Sequence, residues 1–448
     1  MSRGPGLPAG DTAPVGKATE PTAPTTPTAP PPPPRRTGLG VRALVIFYIT
    51  SLVGTGILYV PGVTAQQAGP ASLLAWAVLA AASYPFAKFF AEMSAWRPDA
   101  SGLTVVVRLG FGERAAHAAG LLLITTYVIG NPIMGIISAR YFLDLTGHPD
   151  GPVYAVAAAF MALSVLFNTL GLHTGARVQA ICLVVLLTGL GLAVALAAPH
   201  MEAARYDPFV PHGWGGVGAA VVTAFFSFLG WENVSTLADE VADPARSYRR
   251  AVRWAVPVIG LLYLSVTAAY LAVPSDGTMV VTALLEAPLG HTGRVVGALV
   301  ALGLAMVATN AWVLGASRLM AAGARDGLLP RSLTVTPAAE RAQGAPLRVL
   351  AVLTVSYTAV LGGLSVTGLD DTVILAMTSS SFLMLYVAAA AAAIRARAPR
   401  AIRNVGLLTS LIALAFLCFG GIGLLLAALA ATVCTLLGVL RAPRRTPA

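Results

Sequence analysis

Two short stretches place hydroxyl groups and glycines in the middle of long apolar segments. The first is SLVGTG, which starts at Ser51, and the second is SFLGWEN, which starts at Ser227. Both begin with serine, two apolar residues and glycine. Glycine is a poor helix former, and backbone groups left unpaired in hydrocarbon cost several kcal/mol each. The pattern therefore predicts two interrupted helices whose opened backbone is available to a ligand.

The two interruptions predict sites of opposite charge preference. If the first helix opens at residues 54–56, the new helix starting at Gly56 presents unpaired N–H donors and the positive end of its dipole to an anion. Opening at residues 229–231 frees carbonyl oxygens at a negative helix end, which suit an ammonium group. A carboxylate and an ammonium together describe an α-amino acid. The simpler alternative is that the glycines only allow close helix packing.

Other polar residues also lie inside apolar segments. An ionised carboxylate in a membrane is costly, so Glu232 either carries a proton coupled to function or pins the opened backbone, and both readings stay open. Asn131 is a candidate pocket residue because the following Pro132 frees a backbone carbonyl. Lys88 and Glu92, four residues apart, predict a local ion pair.

The composition is typical of a membrane protein with many spans. Of 448 residues, 56% are hydrophobic and 11% are charged, against about 25% charged in an ordinary soluble domain. The net charge of +10 comes from arginines in short loops and not from a basic face with interleaved aromatics, which argues against nucleic-acid binding. The histidines and cysteines lack ligand spacing, so we expect no metal site and no cofactor.

Hydropathy predicts one domain of twelve membrane-spanning helices over residues 41–440. Residues 1–40 are rich in proline, alanine and threonine and predict a disordered cytoplasmic tail, and residues 441–448 form a short basic tail. The predicted spans are 42–67, 71–95, 115–143, 152–170, 177–198, 216–238, 251–273, 295–322, 347–366, 372–394, 404–420 and 423–440.

The arginines predict how these spans are oriented. Cytoplasmic loops carry an excess of arginine and lysine. With an inner N-terminus, the outer segments contain only Arg140, Arg205 and Arg294. The inner segments then include Arg35, Arg36, Arg42, Arg246, Arg249, Arg250, Arg253, Arg395, Arg397, Arg400 and Arg403. Both termini are therefore predicted to lie in the cytoplasm, with the spans in the cell membrane.

Two segments resemble the amino acid, polyamine and organocation transporter superfamily. The stretch GTGILYVP, Gly54 to Pro61, resembles the family's first-helix pattern of glycine, small hydroxyl residue, glycine, apolar residues and proline. Residues 225–252 resemble the family's sixth helix and the loop that follows it. Its recurrent positions are occupied here by Gly230, Glu232, Glu240, Pro244 and Arg246. The resemblance covers about residues 40–400.

The resemblance implies an all-α integral membrane protein with alternating access. Its core would be a five-plus-five inverted repeat, LeuT-like, with broken first and sixth helices and two added C-terminal helices. By the same resemblance, Gly54, Thr55 and Gly56 hold the substrate carboxylate. The ammonium is met by backbone carbonyls or an aromatic lid, for which the matching positions are Leu52, Phe226, Leu229 and Gly230.

We therefore predict a secondary transporter and not an enzyme. Within the family the chain most resembles a branch that exports neutral, apolar amino acids such as methionine and the branched-chain set. The expected partners are such an amino acid, protons and the lipid bilayer. Two alternatives stay open: a cationic amino acid or polyamine antiporter of the same fold, and a membrane amino acid sensor that moves no substrate.

Overall fold

The chain folds into α-helices that follow the predicted apolar segments. In chain order, the α-helices of the described residues are α1 (Val41–Leu52), α2 (Gly56–Ala68), α3 (Ser72–Trp96), α4 (Leu103–Phe111), α5 (Glu113–Gly130), α6 (Pro132–Leu145), α7 (Val153–Thr169), α8 (Ala176–Ala197), α9 (Gly213–Phe225), α10 (Pro244–Ala272), α11 (Val280–Arg325), α12 (Leu347–Thr367), α13 (Thr372–Arg395), α14 (Arg400–Leu417) and α15 (Gly421–Arg441).

The computed structural model describes residue 4 and residues 39–97, 103–170, 176–233, 241, 243–275, 277–334 and 346–441. Both predicted tails therefore lie outside the described residues, apart from Gly4, Leu39, Gly40 and Arg441. The family position at Glu240 also falls outside them.

The helices of the described residues have the length and composition of membrane spans. Ten stretches are long and apolar enough to cross a membrane, and α1 and α7 are two shorter apolar helices. Each predicted span overlaps one of these helices or two consecutive ones. The chain is therefore an all-helical, multi-pass membrane protein.

Two helical features differ from the sequence prediction. The first is α4, which lies between the predicted spans 71–95 and 115–143; its buried residues Leu103, Val106 and Val107 have helical spacing and face α13. The second is α11, which begins fifteen residues before the predicted span at 295 and is kinked at Gly290, where φ is 57°. Pro288 lacks a backbone donor there.

Two groups of helices pack around the interruptions. In the first group, α3 lies along α10 and α9, α2 lies along α9, and α1 lies along α10. In the second group, α6 packs on α7 and α11, and α12 packs on α7. Helix α13 contacts α4, α5, α14 and α15. The first group thus brings both interrupted segments together in its centre.

Candidate functional site

The first interruption lies between α1 and α2. Helix α1 ends at Leu52, α2 begins at Gly56, and the three residues between them are not helical. The opening therefore starts at Val53, one residue before the predicted Gly54. The first N–H groups of a helix have no partner within it, so the start of α2 directs donors and its positive dipole end into the interruption.

The second interruption follows α9. That helix ends at Phe225, and one tight 3-10 turn, Phe226–Phe228, precedes an extended Leu229 (φ −74°, ψ 134°). At Gly230 φ is 130°, a value that glycine adopts without steric cost. The α-helix thus ends before the predicted opening at residues 229–231, because the chain first tightens into the 3-10 turn.

The two interruptions touch each other reciprocally. A Cβ atom added to Gly56 would lie 2.6 Å from the Oγ of Ser227, and one added to Gly230 would lie 2.8 Å from the Oγ of Ser51. The Nδ2 of Asn233 donates to the Ser51 hydroxyl at 2.8 Å. Each serine of the repeated motif therefore packs against a glycine of the other interruption.

Tyr263 on α10 contacts both interruptions, and it was not among the site residues predicted from the sequence. Its hydroxyl lies 3.0 Å from the carbonyl oxygen of Leu52 and 3.2 Å from that of Ser227. Its ring stacks on the buried Trp76 with centroids 4.8 Å apart. A tyrosine inside an apolar span signals a buried hydrogen bond, but only the fold supplies its acceptors.

A cavity of about 370 Å³ opens beside the first interruption. Its walls come from α1 and from Gly54 and Thr55, together with residues of α5, α8 and α11. Leu183, Leu186 and Leu304 make much of the surface apolar. Among the described residues that line it, none carries a charge. Polar recognition in this cavity therefore depends on backbone groups, hydroxyls and helix ends.

The other predicted site residues do not line this cavity. The Nδ2 of Asn131 donates to the Tyr357 hydroxyl at 2.9 Å and to the Trp312 carbonyl at 3.3 Å. Trp312 and Tyr127 line the cavity, with ring centroids 5.5 Å apart. Asn131 thus orients a wall residue, and sequence reasoning missed Trp312 and Tyr127 because nothing local relates them to the interruptions.

Two of the predicted backbone ligands already accept hydrogen bonds. The Leu52 carbonyl accepts from the N–H of Gly54 at 3.1 Å as well as from Tyr263, and the Phe226 carbonyl accepts from the N–H of Leu229 at 3.3 Å. A carbonyl oxygen has two lone pairs. In this conformation the Phe226 carbonyl oxygen has one lone pair left for an ammonium. At the Leu52 carbonyl oxygen an ammonium would have to displace one of the two existing donors.

Glu232 connects the second interruption to α13. Its carboxylate accepts hydrogen bonds from the Tyr386 hydroxyl and, at 3.1 Å, from the backbone N–H of Gly230. Glu232 does not line the 370 Å³ cavity, although the adjacent Asn233 does. The side chain therefore both stabilises the opened backbone and joins it to a helix outside the first packing group.

A second polar cluster joins α2 and α6 to the start of α13. The Asp371 carboxylate accepts from the Tyr59 hydroxyl and from an Arg140 Nη atom, each at 2.8 Å. Asp371 and Arg140 border a cavity of about 530 Å³. Asp370 borders it too; although burial raises the pKa of this carboxyl, the backbone N–H of Thr372 and neighbouring groups hold it below its usual value.

Apolar helices interrupted beside a small cavity are typical of membrane proteins that bind a small ligand within the bilayer. A sequence model of the family described as "Amino acid permease" matches residues 39–438. The chain belongs to this family, which is part of the amino acid, polyamine and organocation superfamily.

Several curated proteins are similar over much of their length. An uncharacterised amino acid permease of Bacillus subtilis, YecA, is 29% identical over 78% of this chain and 82% of its own. The branched-chain amino acid permease BcaP of the same organism is 28% identical over 66% and 69%. The L-methionine/branched-chain amino acid exporter YjeH of Escherichia coli is 30% identical over 51% and 55%.

Proposed function

We propose that the protein is a secondary active transporter of neutral, apolar amino acids across the cell membrane. The observation that carries the proposal is the cavity at the first interruption. Its lining among the described residues is largely apolar and uncharged, and its volume of about 370 Å³ suits a small molecule. The names of the relatives BcaP and YjeH, which specify branched-chain amino acids and methionine, agree with such walls.

The substrate backbone is recognised where the interruptions meet. The carboxylate lies at Gly54, Thr55 and Gly56, at the start of α2, and the ammonium faces the second interruption around Leu229 and Gly230. The direct packing of Gly56 on Ser227 brings these two half-sites within the span of one amino acid. The buried Ser227 hydroxyl, which has no hydrogen-bond partner among the described residues, supplies a further polar group.

Transport proceeds by alternating access in an inverted-repeat, LeuT-like core of ten helices followed by two more. The repeated serine and glycine motif supports this architecture, as does the pairing of equivalent segments: α2 packs on α9, and α3 packs on α10. Twelve crossings with both termini in the cytoplasm agree with the arginine distribution.

Glu232 is the proposed proton-coupling residue. Burying a charged carboxylate within the membrane costs free energy, so ionisable residues at this depth usually mark functional sites. Its hydrogen bonds reach both the opened backbone at Gly230 and Tyr386 on α13. A change in its protonation would therefore alter the contact between the second interruption and α13, which lies outside the first packing group.

The decisive experiment is counterflow in proteoliposomes of the purified full-length chain. Vesicles loaded with unlabelled leucine or methionine are expected to accumulate the radiolabelled amino acid, and empty vesicles are not. Competition by valine, isoleucine and phenylalanine, with none by lysine or putrescine, would support neutral substrates. Efficient exchange of lysine alone would replace this proposal with the cationic antiporter.

The same preparation distinguishes transport from sensing. A binding measurement by scintillation proximity with the same labelled amino acids runs in parallel. Binding without counterflow would contradict transport and favour a sensor. If no amino acid binds, the site serves another ligand and the proposed substrate class is wrong.

A further inference from the structure

A groove at the arginine-rich end of the helices lies apart from the interruptions. It has a volume of about 330 Å³ and runs between α3, α10 and α14. We call it the basic groove and define it by the side chains that the argument uses, which are Lys88, Glu92, Trp96, Arg249, Ala401 and Ile402. The proposed transport function uses none of them.

The charges in the basic groove sum to a net positive value. The Lys88 ammonium and the Arg249 guanidinium face one carboxylate, that of Glu92. The predicted Lys88 and Glu92 pair is present, but its atoms are 3.8 Å apart, too far for a hydrogen bond. Among the described residues, no hydrogen bond or ion pair engages the Arg249 guanidinium. Donors therefore remain available to an anion in the groove.

Further cations lie at the edge of the groove. The Arg97 guanidinium is 5.2 Å from the ring centroid of Trp96, and Arg400 lies between the lining residues Pro399 and Ala401. Trp96 is the last residue of α3. Tryptophans are enriched at the membrane–water interface, which places this end of α3 there. The Cα of Lys88 is about 12 Å deeper along the helix axis, and a lysine at this depth extends its ammonium toward the headgroups. The charged part of the groove therefore spans the depth of lipid headgroups and the region just below them.

The rest of the groove is apolar. Its floor includes Ala91, Val252 and Ile402, which are at most 3% exposed. Tyr84, at its deeper end, is 41% exposed, and Trp254 on the adjoining turn of α10 is 67% exposed. In a multi-pass membrane protein, surfaces exposed at this depth contact lipid. A phosphate in this groove would thus have an acyl chain beneath it and not bulk water.

We propose that the basic groove binds the headgroup phosphate of an anionic membrane phospholipid of the phosphatidylglycerol type. Arg249 and Lys88 contact the phosphate, and an acyl chain lies along the apolar wall of α3, α10 and α14. Basic pockets between membrane helices are known to hold anionic headgroups. Because the charge of the groove is net positive, it favours this anionic lipid over a zwitterionic lipid. The assignment is independent of which substrate the protein transports.

Native mass spectrometry of the full-length chain in detergent tests the assignment. Phosphatidylglycerol and phosphatidylcholine with the same acyl chains are titrated separately, and the retained copies are compared. We expect preferential retention of phosphatidylglycerol. The Lys88→Gln/Arg249→Gln double variant should weaken this retention by roughly five-fold for each cation removed, and Glu92→Gln should strengthen it.

Matched variants separate the groove from general surface charge. Arg250→Gln removes the same charge from the neighbouring residue of α10, which does not line the groove, and should leave retention unchanged. Ala401→Trp fills the groove without changing its charge and should abolish the preference, even if the double variant folds poorly. Equal retention of the two lipids, an equal effect of Arg250→Gln, or displacement by inorganic phosphate at constant ionic strength would each overturn the proposal.

Discussion

At the residue scale, the candidate site depends on positions that leave no room for a side chain. Gly56 and Gly230 each face a serine of the opposite interruption, so the two opened segments approach as closely as backbone permits. The Oγ of Ser227 is a movable atom, but its Cα, which would lie 3.3 Å from an added Cβ at position 56, is not. A larger residue would separate the proposed half-sites for carboxylate and ammonium.

Gly56→Leu is therefore expected to abolish counterflow of leucine while membrane insertion and thermal stability in detergent remain measurable. The matched control is Gly362→Leu, because the space around Gly362 on α12 is open. It should transport like the wild type. The milder Gly56→Ala should reduce the exchange rate without abolishing it. Wild-type exchange in Gly56→Leu would contradict recognition at this interruption.

Glu232→Gln keeps the size and most of the hydrogen bonds of the side chain but cannot exchange a proton. We expect this variant to retain exchange and to lose the stimulation of uptake by an imposed pH gradient. The control is Glu113→Gln, which removes an exposed carboxylate at the start of α5 and should keep the wild-type response. If the pH gradient still stimulates uptake by Glu232→Gln, Glu232 does not carry the coupled proton and its role is structural, through its hydrogen bond with the N–H of Gly230.

At the element scale, the interruptions are stable because neighbouring helices complete their hydrogen bonding. Helix ends leave carbonyl and N–H groups without intrahelical partners, and these are costly inside a membrane. Tyr263 meets the carbonyls of Leu52 and Ser227 from α10, and Tyr386 meets the Glu232 carboxylate from α13. The broken segments thus depend on helices that are distant in sequence.

Tyr263→Phe removes one hydroxyl that serves both interruptions. The expected loss is about 1 kcal/mol of stability or somewhat more, since a buried carbonyl loses its donor, together with a lower exchange rate. Tyr154→Phe is the control, because its hydroxyl donates to the Leu369 carbonyl away from the interruptions. Both variants should lower the melting temperature, but only Tyr263→Phe should slow counterflow. Equal rates would show that Tyr263 contributes packing alone.

At the scale of the whole molecule, long-range polar contacts hold together helices that hydropathy treats as independent. Asp371, between α12 and α13, accepts from Tyr59 of α2 and Arg140 of α6. Its side chain is only 2% exposed. The cluster therefore joins α2 and α6 to the start of α13.

Asp371→Asn should destabilise the protein by about 2 kcal/mol, because Tyr59 and the Arg140 guanidinium, whose side chain is 33% exposed, lose a charged hydrogen-bond acceptor. The Arg108 and Glu113 pair is exposed on both sides, so Glu113→Gln should cost less than about 1 kcal/mol. Thermal unfolding in nanodiscs, followed by tryptophan fluorescence, compares the two. Similar small shifts in the unfolding temperature of the two variants would show that the Asp371 cluster contributes no more to stability than an exposed ion pair.

Much of the architecture was predictable because hydrophobic segments must match the thickness of the bilayer. The positions of the helices and the opening around Gly54 follow from apolar length and glycine placement. The amphipathic α4 and the kink at Gly290 were missed, since a short buried face and a proline near a span edge are weak signals in one sequence. The ion pair of Lys88 with Glu92 was predicted because both partners lie on one helix turn.

The sequence by itself determined what is local: which segments prefer hydrocarbon, and where glycine weakens a helix. Only the tertiary structure decided that Gly56 meets Ser227 and Gly230 meets Ser51, that the Tyr263 hydroxyl lies within hydrogen-bond distance of a carbonyl on each side, and that Arg140 pairs with Asp371. The physical reason is that hydropathy and helix propensity act over a few neighbouring residues. Hydrogen bonds and close packing inside a membrane instead join whichever helices fold against each other, however far apart they are in sequence.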